Sequence, residues 1–166
     1  MKKSIIVIVL LLTTHLAFSQ LKVGINAGIP VGDVGEFYSF SLGADVYYMF
    51  GDQDAFLEFG ATAGFLNYFG KEVDIVGQST DIDNAQFIPL AGAARFTLFG
   101  FLRFGPDVGY AIALSDTYDG GFYYRAVLGI DLGDRVELNT FYHSISQEGS
   151  NIGSVGAGLL IEFGGS

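Results

Sequence analysis

The sequence predicts an all-β fold: an eight-stranded antiparallel up-and-down transmembrane β-barrel, preceded by a cleaved signal peptide. Eight segments alternate apolar residues with small or polar ones, which is the period of two expected of strands. Apolar residues make up 50% of the chain and charged residues only 16%. No stretch, however, reaches the ~20 apolar residues of a membrane helix. Because only helices and closed barrels satisfy every backbone polar group in lipid, a barrel is the remaining way to cross a membrane.

Residues 1–19 have the pattern of a secretory signal peptide. Lys2 and Lys3 form a basic start, an apolar run follows, and Ala17-Phe18-Ser19 is a small-x-small cleavage site. The alternative is an uncleaved anchor, but the apolar run is too short to span a bilayer. We expect cleavage between Ser19 and Gln20, which leaves the barrel domain at residues 20–166.

The mature chain is strongly acidic. The leader contains two of the eight basic residues and none of the 18 acidic ones, so its removal gives a net charge of −12. This acidity argues against nucleic acid as a partner. The chain has no cysteine, so it has neither a disulfide framework nor a thiolate metal site.

The predicted strands and connections follow one another without a linker, and no helix is expected beyond the leader. The strands are 21–29, 38–50, 56–69, 85–98, 101–114, 122–132, 135–145 and 154–163. Polar loops at 30–37, 70–84, 115–121 and 146–151 alternate with short turns, as outer loops and periplasmic turns do in outer-membrane barrels. Because proline removes a ladder hydrogen bond, we expect a strand end at Pro89 and a bulge or register change near Pro106.

The two faces of the predicted strands differ in composition. In the last strand, one face is wholly apolar and ends in Phe163, while the other holds small residues and Glu162. Across all strands the apolar faces carry no charge and gather aromatic residues near both ends, as interfacial girdles do. An eight-stranded barrel has room inside only for side chains or one small ligand. The bulky apolar faces are therefore expected to face lipid.

The opposite faces are expected to line the lumen. They carry the charged residues Lys22, Asp45, Glu58, Arg95, Arg103, Asp107, Arg125, Asp131, Glu137 and Glu162. We interpret these residues as a structural ion-pair network that fills the barrel, since such pairs confer specificity more surely than net stability. A gate or a proton path is the functional alternative.

The C-terminal residues carry the most specific signature. Gly158 lies five residues before Phe163, and the apolar Ile161 lies two before it. With the architecture of the whole mature chain, this resembles the small outer-membrane β-barrel family of the OmpA and OmpX type. That family usually ends on the aromatic residue, whereas Gly164-Gly165-Ser166 follow here. The resemblance implies a place in the bacterial cell outer membrane, contact with its lipids and insertion by the barrel assembly machinery.

Two further motifs are candidate sites. Barrel lipid A deacylases use a His-x-Ser pair with a Glu, but the residue two after His143 is Ile145, and Ser144 is expected to point to the opposite face, towards lipid. Asp81 and Asp83 alternate as carboxylates that hold Ca²⁺ can do, but the EF-hand spacing is absent and a solvated loop is favoured. We expect no catalytic residue, no cofactor and no metal.

These features favour a monomeric, non-enzymatic barrel with a structural, adhesion or surface-interaction role in the bacterial envelope. Its acidic loops leave room for an extracellular ligand. A narrow pore or small-solute channel is the alternative, and a lipid A-modifying enzyme is less favoured.

The cleavage site gives a first testable prediction. Protein purified from outer membranes should have the intact mass of a 147-residue chain that starts at Gln20, because cleavage follows Ser19. Mass spectrometry of the intact chain measures this directly. A mature protein that retains Met1 would contradict it.

Overall fold

The computed structural model describes residues 19–50, 55–75, 78–115, 118–147 and 150–163, so the predicted leader up to residue 18 lies outside them. Within these ranges lie one 3-10 helix, Gly32–Glu36, and ten strands. The strands are β1 (Ser19–Val31), β2 (Tyr38–Phe50), β3 (Leu57–Gly70), β4 (Glu72–Ile75), β5 (Gln78–Asp81), β6 (Ala85–Leu98), β7 (Leu102–Ala113), β8 (Gly121–Asp131), β9 (Val136–Gln147) and β10 (Ser150–Phe163).

Eight of these strands form one closed antiparallel barrel in the order β1-β10-β9-β8-β7-β6-β3-β2. The predicted eight-stranded antiparallel barrel is therefore confirmed, and the cleaved signal peptide stays a prediction. Leu21 lies opposite Phe163, which places the start of β1 and the end of β10 at one edge, here called the turn end. Phe99 and Gly100 are the central residues of a tight turn there, closed by the Phe101 N–H on the Leu98 oxygen at 3.3 Å. Their φ values of 55° and 75° are the left-handed values that a type I′ turn requires. The opposite edge, here called the loop end, carries the longer connections.

The register fixes the size of the barrel. A line drawn across the strands from Leu21 meets, in order, Tyr48, Ala61, Gly92, Val108, Tyr124, Ser144 and Gly153, and returns to β1 at Val31. The return is ten residues beyond the start, which is the shear number. With eight strands, a shear of ten and ordinary strand spacing, the strands tilt by about 40° from the barrel axis. The interior of such a barrel is one that side chains can fill.

The predicted faces of the strands are confirmed by burial. On β1 the outward Ile25 is 67% exposed and the inward Lys22 only 5%; on β8 the corresponding values are 49% for Leu128 and 3% for Arg125. Outward aromatic rings contact one another near both ends: Phe96 stacks on Phe104 with centroids 5.4 Å apart, and Tyr124 lies 5.9 Å from Tyr142. The outer surface is thus an apolar belt between aromatic rings, as a lipid-facing wall requires.

No helix in the described ranges is long and apolar enough to cross a membrane.

Both predictions made for the prolines are wrong. Pro89 lies inside β6, opposite Ala111 of β7, and does not end the strand. Pro106 pairs with Ala126 of β8 in a register that does not change along the strand. Each proline's strand also pairs with a second neighbour: β6 with β3 at Pro89, and β7 with β6 at Pro106. The pairing there is interrupted for a few residues and resumes in the same register. One missing N–H removes one bond, and the remaining pairs hold the alignment.

The irregularity in the barrel lies elsewhere, at the start of β2. The register between β2 and β3 shifts between Tyr38 and Phe40. One extra residue at this bulge reverses the side of the wall to which the preceding residue points. Tyr38 therefore lies inside the barrel and is buried, whereas Phe40 is exposed on the outer wall.

Three connections at the loop end differ from expectation. The predicted loop at 70–84 contains an antiparallel hairpin formed by β4 and β5. The predicted loop at 30–37 contains the 3-10 helix, which corrects the expectation of no helix. β10 starts at Ser150 rather than at residue 154, because its first residue pairs with Gln147. β5 contains no apolar residue, and the first four residues of β10 are Ser-Asn-Ile-Gly, so neither shows the apolar alternation that marks strands inside the membrane.

A charge placed on the belt tests the outward faces. Ala126 is outward at the middle of β8, so Ala126→Arg should cost about 2–4 kcal/mol of folding free energy in bilayers. The matched control is Leu132→Arg, just beyond the turn end of the same strand, for which the expected cost near the interface is about 0–1 kcal/mol. Urea unfolding in lipid vesicles measures both. Equal costs for the two variants would contradict the assignment.

Candidate functional site

The lumen is the candidate site, because the inward faces of all eight strands bring the predicted charged residues together there. All ten are at least partly buried, and nine are less than 9% exposed. Those nearest the turn end form two groups. Lys22 Nζ lies 3.3 Å from Glu162 Oε2, and the Arg103 guanidinium binds both the Glu58 carboxylate and, at 2.7 Å, Asp131 Oδ2.

A small polar cavity of about 90 Å³ opens among these residues. Its walls include Lys22, Arg103, Asp131 and Glu137. Glu137 also accepts a hydrogen bond of 3.3 Å from Asn139 Nδ2. Charges of both signs therefore line the turn-end mouth of the lumen.

A second layer crosses the middle of the lumen and centres on Arg125. Its Nη1 atom lies 2.7 Å from Asp45 Oδ2, and its guanidinium carbon lies 4.3 Å from the centroid of the Phe141 ring. Asn26 Nδ2 donates to the same Asp45 oxygen at 2.7 Å. The Asp45 carboxylate and the Phe141 ring thus hold one buried guanidinium, and the Asn26 amide in turn holds the carboxylate.

Arg95 and Asp107 extend this middle layer. Arg95 Nη1 lies 2.7 Å from Asp107 Oδ1, and the Tyr47 hydroxyl donates to Asp107 Oδ2 at 2.7 Å. The Arg95 guanidinium carbon also lies 5.3 Å from the centre of the Tyr47 ring. Strands distant in sequence are therefore joined across the lumen by charge-assisted bonds.

Inward glycines make room for these side chains. A Cβ atom at Gly43 would lie 2.7 Å from Asn26 Oδ1, and one at Gly129 would lie 2.7 Å from Glu137 Oε1. Both distances are shorter than real Cβ contacts, so a larger residue would displace the polar groups. The abundance of glycine on the inward faces is thus tied to the filling of the lumen.

The loop-end half of the lumen is filled differently, by an apolar and aromatic cluster that we call the plug. Its buried members are Val34, Tyr38, Leu66, Tyr68, Ala85, Phe87, Ala111, Tyr123, Ile145 and Ile152. A hydrogen bond joins the hydroxyl groups of Tyr38 and Tyr118 across it. Sequence reasoning missed the plug because its members come from seven strands and the 3-10 helix, and because Tyr38 points inward only through the bulge.

His143 lies beneath the plug and is 2% exposed. Its Nε2 atom is 2.8 Å from the Tyr68 hydroxyl oxygen, and its ring stacks on Phe141 with centroids 5.2 Å apart. Ser144 was expected to face lipid, but it is only 1% exposed. Its position on β9 is still outward by alternation, and Tyr124 lies directly opposite it on β8. Its burial therefore comes from neighbouring outer tyrosines, not from the lumen.

The acidic loop motif is exposed at Asp81 and Asp83, and Asn84 Oδ1 accepts the Gly70 backbone N–H at 3.1 Å. Among the residues that the structure describes, no three His, Cys, Asp or Glu side chains are grouped so as to hold a metal ion.

The remaining predicted residues lie at the turn end or close to it. Ile161 and Phe163 are outward on β10 and 41% and 54% exposed, whereas Gly158 faces inward near Asn26 and Asn139. Ser19 and Gln20 begin β1, opposite Phe50 and Met49 of β2. Ala17 lies outside the described residues.

No protein-family model and no characterised protein matches the chain by sequence. Solved structures do match it in fold. The crystal structure of Ail, the attachment invasion locus protein of Yersinia pestis, has a TM-score of 0.54 at 12% identity and covers 87% of this chain and 97% of that one. Neisserial surface protein A has a TM-score of 0.51 at 13% identity, with coverage of 87% and 97%.

Two further structures are informative. A de novo designed transmembrane β-barrel matches with a TM-score of 0.52 at 10% identity, covering 87% of this chain and 95% of the designed one. Ail is also known in complex with the heparin analogue sucrose octasulfate, in a structure 16% identical to this chain, with a TM-score of 0.51 and coverage of 87% and 97%. Identities this low establish the fold. Together with the closed ladder and the apolar belt, they define the fold: a closed eight-stranded transmembrane β-barrel, similar in architecture to these small outer-membrane proteins.

The middle layer gives a prediction about stability. Arg125→Met should destabilise the barrel by about 3–5 kcal/mol, because it leaves the buried Asp45 carboxylate without its guanidinium. The double variant Arg125→Met, Asp45→Leu should recover most of this loss, since removing both charges of a buried pair is often nearly neutral. Urea unfolding in vesicles of the wild type, the two single variants Arg125→Met and Asp45→Leu, and the double variant completes the cycle. A double variant less stable than Arg125→Met would contradict it.

Proposed function

We propose that this protein is a closed, non-enzymatic outer-membrane barrel with a structural or surface-interaction role in the envelope. The observation that carries the proposal is the filling of the lumen. The ion pairs around Arg103 occupy its turn end, those around Arg125 cross its middle, and the plug occupies its loop-end half. A barrel filled in this way leaves its outer loops and its lipid-facing wall as the surfaces that can meet partners.

The surroundings of His143 support a non-enzymatic role. A nucleophile needs a base within hydrogen-bond reach, and that base must be free to take its proton. His143 Nε2 is engaged by the Tyr68 hydroxyl inside the lumen, while Ser144 lies on the other side of the wall. The strand itself therefore separates His143 from Ser144, and the residue two after His143, where a lipid A deacylase has its serine, is Ile145.

The charge of the outer loops indicates what kind of surface partner fits. The loop segments 30–37, 70–84, 115–121 and 146–151 together contain nine acidic residues and one basic residue, Lys71. Lys71 Nζ donates to the Gly35 backbone oxygen at 2.9 Å, so it fastens one loop to another. A surface of this sign attracts cationic groups and repels polyanions. It would disfavour a ligand such as the sucrose octasulfate bound by Ail.

Insertion of the barrel is proposed to use the C-terminal signature. Ile161 and Phe163 present apolar side chains outward at the end of β10, the strand that closes the barrel against β1. Recognition of this strand by the barrel assembly machinery fits that placement.

A narrow pore remains the second candidate, and one observation favours it. The polar cavity of about 90 Å³ at the turn end has the charged lining of a channel vestibule. Conduction would require a path past Arg125 and the plug.

Conductance separates the two candidates. Wild-type protein in planar bilayers should show no steady current, because an eight-stranded barrel leaves an interior that side chains can fill. A large porin reconstituted in the same bilayers provides the positive control, and a heat-dependent change in gel mobility verifies that the barrel is folded. Stable single-channel steps from the folded wild type would place the pore first.

A further inference from the structure

A groove on the outer wall is the feature that the proposed function leaves unexplained. It lies across β2, β3 and β6 towards the loop end and has a volume of about 420 Å³. Its lower part is apolar, with Leu42, Ala44 and Phe65. Its upper part holds the amide side chains of Asn67, Asn84 and Gln86. We call it the amide groove.

Asn67 is the unusual residue of this groove. Alternation along β3 places it on the outer face, since Glu58, Thr62, Leu66 and Tyr68 are buried on the inner one. It is nevertheless only 6% exposed, and its Oδ1 atom has no hydrogen-bond partner. A buried acceptor without a donor costs about 1–3 kcal/mol, and such groups in native proteins usually find partners. Asn67 lines the groove, so the groove is the side from which a ligand can meet this side chain.

The amide groove continues into a second concavity on the same wall. This one has a volume of about 450 Å³ and begins at the same Leu42 and Gly43. It runs past Ala27 and Ala157 between larger apolar residues such as Ile25. The two concavities share Leu42 and Gly43, so together they form an apolar path that leads from the amide end into the belt.

We propose that this groove binds one membrane lipid, with an acyl chain on the apolar path and a hydroxyl or amide N–H of its headgroup region donating to Asn67 Oδ1. The polarity of the groove supports a lipid rather than a second copy of the chain. Its amide end lies at the level of outer-wall aromatic residues such as Phe40, where lipid headgroups meet acyl chains, and its apolar end lies in the belt. A lipid molecule has the same order of groups along the same direction.

The unpartnered Asn67 Oδ1 atom indicates which class of lipid the groove binds. The unpartnered atom is an acceptor, so the ligand must supply a donor. Acylated amino sugars and hydroxyacyl chains carry amide N–H and hydroxyl groups beside the acyl chain. Phosphocholine lipids carry no such donor. The site should therefore select lipids by the donors next to their acyl chains.

Native mass spectrometry of the folded full-length protein, released from detergent, tests the proposal. The probes are N-(β-hydroxymyristoyl)glucosamine and myristyl phosphocholine, which have the same chain length and differ in donors. Wild-type protein should bind one equivalent of the glucosamine probe roughly tenfold more tightly than the phosphocholine probe, as expected for about one hydrogen bond. Asn67→Leu should remove this preference and leave binding of myristyl phosphocholine unchanged.

A pair of alanine variants tests the acyl path independently. Ala44→Trp fills the groove and should abolish binding of both probes, whereas Ala61→Trp, at another outward alanine, should bind as the wild type does. Heat-dependent gel mobility shows that each variant has folded. Unchanged binding in Ala44→Trp would overturn the proposed place of the lipid, and an unchanged preference in Asn67→Leu would overturn the role of the amide. A wild-type dimer that Ala44→Trp disrupts would assign the groove to a second copy instead.

Discussion

Closure of the backbone ladder is the constraint on which the rest of this structure depends. In lipid, each unpaired N–H or C=O group costs several kcal/mol, so a sheet in the membrane must have no free edge. The pairing of β1 with β10 removes the last edge, and it fixes the shear at ten. Once strand number and shear are set, strand tilt and lumen width follow. The prolines show how strong this constraint is, because neither changes the register of the strands around it.

The width of the closed barrel then decides what the lumen must contain. A space of this size has to be filled by side chains, and this chain fills it with two chemically distinct layers. From the turn end to the middle, guanidinium groups are held by carboxylates and aromatic faces, and inward glycines provide the room. In the loop-end half, aromatic and aliphatic side chains of the strands and Val34 of the 3-10 helix form the plug. Buried ion pairs confer alignment more surely than stability, whereas the plug adds apolar burial.

The outer surface differs from the lumen because it contacts acyl chains. Large exposed apolar residues, which would make a soluble protein aggregate, are required where acyl chains are the solvent. Against that background, polar groups on the outer wall stand out. Thr140 satisfies its hydroxyl by donating to the Gly156 carbonyl at 2.9 Å, whereas Asn67 Oδ1 has no partner within the chain. Of these two polar residues on one wall, only Asn67 has an acceptor for which the amide groove could supply a partner.

The sequence by itself determined the number of barrel strands, their approximate bounds and the side of the wall to which most residues point. Period-two alternation is a local property, and a membrane barrel imposes it on every strand. It also identified the ten lumen charges as one set, although it did not assign partners to them. The tertiary structure alone decided those partners, because Arg125 and Asp45 lie 80 residues apart and meet only across the closed lumen.

The other features that sequence reasoning did not find also depend on contacts between residues that are distant in sequence. The bulge that turns Tyr38 inward depends on how β2 aligns with β3, and the plug assembles from residues of seven strands and a helix. The amide groove arises where small and polar outward residues of neighbouring strands happen to be side by side, which the shear controls. Alternation within a strand indicates which of its sides faces lipid. Only the register of the closed barrel determines which residues of different strands become neighbours.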